Sequence, residues 1–86
     1  MENQARKPAP LYWSAPVHVV IGNGPSETIF GPEAAVQYLR SGWPIRNSLR
    51  HSKALRACTA ATHRRAPPDL ARDVFIAACV EADLLA

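Results

Sequence analysis

The sequence has no long hydrophobic run. No apolar stretch approaches the roughly 18 residues that a membrane-spanning helix needs, which argues against a helical membrane protein. Cysteine is scarce as well: the chain has two, whereas small secreted domains held by disulfides carry about four to eight. The first sixteen residues lack the apolar core of a secretory signal. A disulfide scaffold is therefore excluded, and a cytoplasmic location is expected.

What is present is the composition of one small folded domain. The 86 residues are 48% hydrophobic and 20% charged, which is typical of a globular protein. Fifteen residues are alanine, so the number of large core side chains is limited. A domain of this size buries only about 60% of its unfolded surface, and a partner that adds to the core would stabilise it. We predict a flexible N-terminal tail at 1–10 and a single domain at 11–86.

The order of secondary structure predicts an α+β fold, ββααα. Alternating β-branched residues indicate a strand at 17–21, and a second strand at 27–30 completes a hairpin across an Asn-Gly turn. Three helices follow, at 32–40, 48–63 and 68–83. Pro32 suits the first position of its helix, Gly42 suits a helix end, and Pro67-Pro68 separates the last two helices.

The third helix has apolar residues around most of its circumference, including Leu70, Phe75 and Val80. A helix that is apolar on most sides is expected to be buried on most sides. Together with the open edges of a two-stranded hairpin, this predicts a homodimer, joined through the hairpins or through the third helices. The competing interpretation is that residues 11–13 cover the open edge and that the helices close the core within one chain.

Charge is distributed unevenly along the chain. Seven basic residues and no acidic residue lie between positions 40 and 65, whereas the third helix is acidic. The basic helix, residues 46–65, could bind nucleic-acid phosphates or another acidic partner. Alternatively, antiparallel packing would bring the basic helix beside Asp73 and Glu81. A helix-turn-helix is disfavoured because the acidic helix would have to enter the DNA groove.

The candidate partner surface comprises Trp43, Arg46, Arg50, Lys53 and Arg56. Trp43 lies at a corner between helices, where it either plugs the core or contacts a partner.

No cysteine or histidine pair has the spacing of a zinc site, so the sequence predicts no metal site. It also offers no catalytic and no cofactor site. His51 is expected to be a core histidine bonded to a backbone or hydroxyl group. The leading hypothesis is therefore a non-enzymatic interaction module that self-associates or binds an unidentified protein partner. Binding to nucleic acid or to an acidic partner is the alternative.

An ordered series of residues resembles a known family. The series is Val17-x-Val19, Ile29-x-Gly31-Pro32-Glu33-Ala34-Ala35, Trp43-Pro44, His51-x-x-Ala54-Leu55-x-Ala57-Cys58 and Pro68-x-x-Ala71-Arg72-x-x-Phe75-Ile76-x-Ala78. It resembles the domain-of-unknown-function family numbered 982, found mainly in rhizobia-like alphaproteobacteria, over residues 13–83. The resemblance implies a compact α+β fold and no catalytic activity. Residues 46–49 depart from the Gly-Pro-type helix start of that family.

Overall fold

The computed structural model describes residues 11–20, 23–45 and 48–86, and its first elements are two short antiparallel strands. Strand β1 is Val17–Val19 and strand β2 is Glu27–Ile29, with Val17 opposite Ile29 and Val19 opposite Glu27. The hairpin is confirmed, although both strands are shorter than predicted. Val17 and Val19 are buried and His18 is exposed, as the alternation indicated. The predicted tail at 1–10 lies outside the described residues.

A third extended segment, residues 84–86, pairs with the other edge of β1. The Val20 N–H donates to the Leu84 carbonyl at 2.7 Å, and the Ala86 N–H donates to the His18 carbonyl at 3.0 Å. Backbone groups of a strand point alternately to its two sides, so the Val17 and Val19 groups are directed at β2. Thr28, opposite His18, consequently directs its N–H and C=O away from the hairpin.

Three helices follow, and local signals set their limits. Helix α1 is Pro32–Arg40, α2 is Leu49–Thr62 and α3 is Pro68–Glu81. The Ser48 hydroxyl caps α2 by accepting the His51 N–H. Helix α3 ends two residues earlier than predicted. Asp83 has φ 58, and the Leu84 N–H donates to the Cys79 carbonyl, which is the bonding of a Schellman motif. This turn directs residues 84–86 back to β1.

The centre of the core is aromatic. Phe75 is fully buried, with the rings of Trp13 and Trp43 at centroid distances of 5.8 and 6.0 Å. Trp13 belongs to the N-terminal segment, which crosses α3: its indole N–H donates to the Pro68 carbonyl at 2.9 Å, and its backbone N–H donates to the Phe30 carbonyl at 2.7 Å. Residues 11–13 therefore cover part of the core and one end of β2, as the competing interpretation proposed.

Within one chain, helix α3 is buried on one face only, so the other described elements of the chain do not wrap around it. Its buried residues are Ala71, Phe75, Ala78 and Cys79, which form a single face, while Leu70 and Val80 are 54% and 61% exposed. The helix packs against neighbours on that face alone, and its opposite side faces solvent. The periodicity of apolar residues shows how hydrophobic side chains are distributed around a helix. It does not show how many other elements of the fold pack against them.

Candidate partner-binding surface

Helices α2 and α3 pack antiparallel. At one end of the pair, the Ser48 hydroxyl donates to the Glu81 carboxylate. Further along, the Cys58 thiol lies 3.9 Å from the Ala71 carbonyl. This arrangement confirms the prediction that the basic helix lies beside the acidic positions of the third helix. It also decides which of the predicted basic residues face α3.

Arg50 and Lys53 of α2 line a groove of about 250 Å³ together with Asp73, Val74 and Ala77 of α3. Both basic residues and Asp73 are exposed. Within the described part of the chain, no hydrogen bond or ion pair joins Arg50 or Lys53 to Asp73. Charges of both signs thus share one groove without being paired to each other.

Two exposed leucines lie on the same helix faces as the groove residues. Leu49 precedes Lys53 by one helical turn and is 70% exposed; Leu70 precedes Val74 by one turn and is 54% exposed. We call the resulting surface the helix-pair face. It consists of Leu49, Arg50, Lys53, Leu70, Asp73, Val74 and Ala77.

The other predicted surface residues lie elsewhere. Arg56 lines a separate groove of about 430 Å³ on the outer side of α2, with Leu55, His63 and Arg65 among its neighbours. Trp43 is only 3% exposed, so it is a core plug and not a surface residue. Its indole ring packs against three other rings, those of Tyr38, His51 and Phe75. Arg46 lies outside the described residues.

The buried histidine is accounted for by packing. His51 is 8% exposed, and its Nε2 lies 2.8 Å from the Leu39 carbonyl oxygen, close enough to donate a hydrogen bond to it. The expectation of a core histidine bonded to backbone is confirmed. The bond also ties α2 to α1.

The two cysteines are free thiols in the core. Burial raises the pKa of Cys58 and of Cys79 to about 12, and the proximity of Cys79 adds to the effect at Cys58. A thiol with so high a pKa stays protonated at neutral pH, and the thiolate is the form that acts as nucleophile or metal ligand. Among residues 11–20, 23–45 and 48–86, no three histidine, cysteine or acidic side chains come together as a metal site. In the same residues, no helix is long and apolar enough to cross a membrane.

Residues 15–86 match the family described as "Protein of unknown function (DUF982)". The chain belongs to this family. The solution structure of the Agrobacterium tumefaciens protein Atu1219 is similar to it, with a TM-score of 0.76 and 31% sequence identity. That similarity covers 100% of this chain and 86% of the Agrobacterium chain. No curated protein matches the sequence. The family resemblance inferred from the ordered residues is confirmed, and the fold is a DUF982 fold.

A second surface was not predicted from the sequence. Tyr12 and Phe30 are 68% and 53% exposed, and they lie beside α1 and near the outward backbone groups of Thr28. The sequence pattern predicts that Phe30 belongs to the second strand of the hairpin and that Tyr12 belongs to the segment covering the open edge. Only the exposure of two aromatic rings, which depends on the tertiary fold, shows that this side is open.

Proposed function

We propose that this DUF982 protein is a non-enzymatic, cytoplasmic interaction module that self-associates through the helix-pair face. One observation carries the proposal: exposed leucines and unpaired charges of both signs occupy the same face. The two free, buried thiols fit a reducing compartment, where disulfides are rare.

The apolar part of the helix-pair face supplies the attraction. A single exposed leucine is ordinary on a protein surface. Here Leu49 and Leu70 each lie one helical turn from a residue of the groove, whose lining includes half-buried Val74 and Ala77. Full burial of a leucine side chain stabilises by about 1.5–3 kcal/mol, so a partner that covers both leucines would gain several kcal/mol before ordering costs.

The charged part favours a second copy as the partner. In a two-fold dimer each contact occurs twice, with the two partners exchanged. If Lys53 of one protomer lies against Asp73 of the other, the symmetric contact forms as well, and both signs of charge on the face find partners. A nucleic acid would instead place phosphates beside the Asp73 carboxylate, which is unfavourable.

The size of the face sets the expected strength. Each helix has 14 residues and is about 21 Å long. A standard interface buries about 800 Å² per partner, which is about 15% of the 5433 Å² surface of the chain. To bury that area, the interface must run along the full length of both helices. We therefore expect a weak dimer whose population depends on the protein concentration.

Sedimentation equilibrium tests the proposal. We expect the mass to rise from 9.4 kDa toward twice that value as the concentration approaches about 0.5 mM. Lys53→Asp and Asp73→Lys should each weaken the dimer, and the double variant should restore it because the pair is then exchanged. Tyr12→Ser removes an aromatic ring that is 68% exposed but lies off the face, so it is a control that should dimerise as the parent does. A mass fixed at 9.4 kDa, or a double variant weaker than both single variants, contradicts the proposal.

A second candidate function uses the outer groove of α2. Arg56, His63 and Arg65 line it around Leu55, and no acidic side chain is among its lining residues within the described chain. This arrangement suits an acidic partner such as a nucleic-acid backbone. Titration of a labelled oligonucleotide at low and moderate salt should show a steep salt dependence that Arg56→Ala reduces. Absence of binding at low salt would eliminate this candidate.

A further inference from the structure

Among the described residues, the backbone groups on the outer edge of β2 are without a partner at Thr28. Thr28 directs its N–H and C=O away from β1, as derived above, and no other described residue bonds to either group. The edge of β1, in contrast, is covered by residues 84–86. At the far end of β2, the Phe30 carbonyl accepts the Trp13 N–H. The free stretch is therefore short and begins where residues 11–13 end. Unpaired groups on a strand edge are the usual template for an added strand.

Helix α1 forms a wall beside this edge. A groove of about 560 Å³ lies between them, lined on the strand side by Glu27 and Thr28 and on the helix side by Ala34, Gln37 and Tyr38. Glu27 and Tyr38 line the same groove. Burial, and then the Glu27 carboxylate, raise the pKa of the Tyr38 hydroxyl. A chain that added to β2 would thus run beside a carboxylate.

A second groove of about 270 Å³ continues along α1, because Ala34 and Gln37 line both. Tyr12 and Phe30 form its apolar walls, and Glu33 adds a second carboxylate. Neither groove has a lysine or arginine among its described lining residues. The combined surface offers a carboxylate in each groove and exposed aromatic rings in the second.

We propose that the edge of β2 and the two grooves beside α1 bind an extended peptide segment that carries basic and apolar side chains, which adds to the sheet as a further strand. The backbone of the segment pairs with the N–H and C=O of Thr28. A lysine or arginine side chain reaches the Glu27 carboxylate, and an apolar side chain packs on Tyr12 and Phe30. This surface is separate from the helix-pair face, so peptide binding and self-association are independent.

Nuclear magnetic resonance titration of the full chain tests the proposal. The probe is an acetylated peptide of about eight residues that alternates valine and lysine, compared with its valine–glutamate counterpart. We expect the lysine peptide to shift the backbone amide resonances of Thr28, Ala34 and Gln37 and the glutamate peptide to leave them unchanged. Glu27→Lys should weaken binding about tenfold or more, since it replaces a charge-assisted contact by repulsion. Asp69→Lys makes the same charge change on exposed α3 surface and should leave binding unchanged.

Two further variants separate strand addition from charge attraction. Thr28→Pro removes the outward N–H without touching a bond to β1, whereas Thr28→Val removes only the hydroxyl, which lies 3.1 Å from His18 Nδ1. We expect the proline variant to lose binding and the valine variant to retain it. A peptide with N-methylated valines gives the same test without altering the protein, and it should not bind. Equal binding of the N-methylated peptide, shifts confined to α2 and α3, or no binding at about 1 mM peptide would each overturn the proposal.

Discussion

Replacing Phe75 by alanine is the most direct test of the core. Phe75 is fully buried, and its ring packs against both tryptophans of the chain, at 5.8 Å from Trp13 and 6.0 Å from Trp43. Through these two contacts it joins the N-terminal segment, the α1–α2 corner and α3. The substitution would leave a cavity where three parts of the chain meet.

The expected cost follows from this environment. A buried phenylalanine replaced by alanine costs about 3–5 kcal/mol, and aromatic pairs contribute about 0.5–1.5 kcal/mol each beyond area burial. With two aromatic partners, Phe75→Ala should fall in the upper part of that range. A chain of 86 residues has a free energy of unfolding of about 4–13 kcal/mol. The variant should therefore lose a third or more of its stability.

Urea unfolding followed by tryptophan fluorescence measures the loss, since both tryptophans report on this contact. We expect the midpoint to fall by about 2–3 M with an unchanged slope. Phe30→Ala is the matched control, because Phe30 is 53% exposed and its removal should cost less than about 1 kcal/mol. If the two variants unfold at the same urea concentration, Phe75 is not at the centre of the core.

Three further predictions concern close packing and buried polar groups. Gly31→Ala should destabilise by about 1–3 kcal/mol, because an added Cβ would lie 2.2 Å from the Leu11 carbonyl oxygen; thermal unfolding measures it. Stability should fall between about pH 9 and pH 12 by up to about 1.4 kcal/mol per pH unit for each thiol, since Cys58 and Cys79 ionise near 9 when unfolded and near 12 when folded. Urea midpoints across this range should show a smaller decrease when both are alanine. His51→Leu should cost about 1–3 kcal/mol in the same assay, because it leaves a carbonyl at the end of α1 without its donor; a neutral result would show that water replaces the bond.

Local signals explain why the helices were predictable. Pro32, Gly42 and Pro68 each act within a turn of their own position, and each helix limit that they indicate is observed. Antiparallel packing of α2 and α3 also follows from a short connection between two helices. Placement of Arg50 and Lys53 beside Asp73 could be predicted from that register.

Long-range features were not predictable in the same way. Val19 and Leu85 are 66 positions apart, and residues 84–86 are too few to show strand alternation. The burial of Trp43 depends on the rings from three different elements that surround it. The open edge beside α1 depends on the same long-range pairing. Residues 84–86 pair with the outer edge of β1, and the outer edge of β2 is the edge that they leave uncovered.

The pairing of residues 84–86 with β1 places the last described residues beside the first strand. The chain enters β1 at Val17, and the Ala86 N–H bonds to the neighbouring His18 carbonyl. Because the pair is antiparallel, tension applied between Pro16 and Ala86 would separate its hydrogen bonds one after another, starting at this point, instead of loading them all at once. A permuted chain that joins residue 86 to residue 11 by a flexible glycine–serine linker and opens at the exposed turn of Arg64 and Arg65 should keep the pairing of residues 84–86 with β1 and the fold.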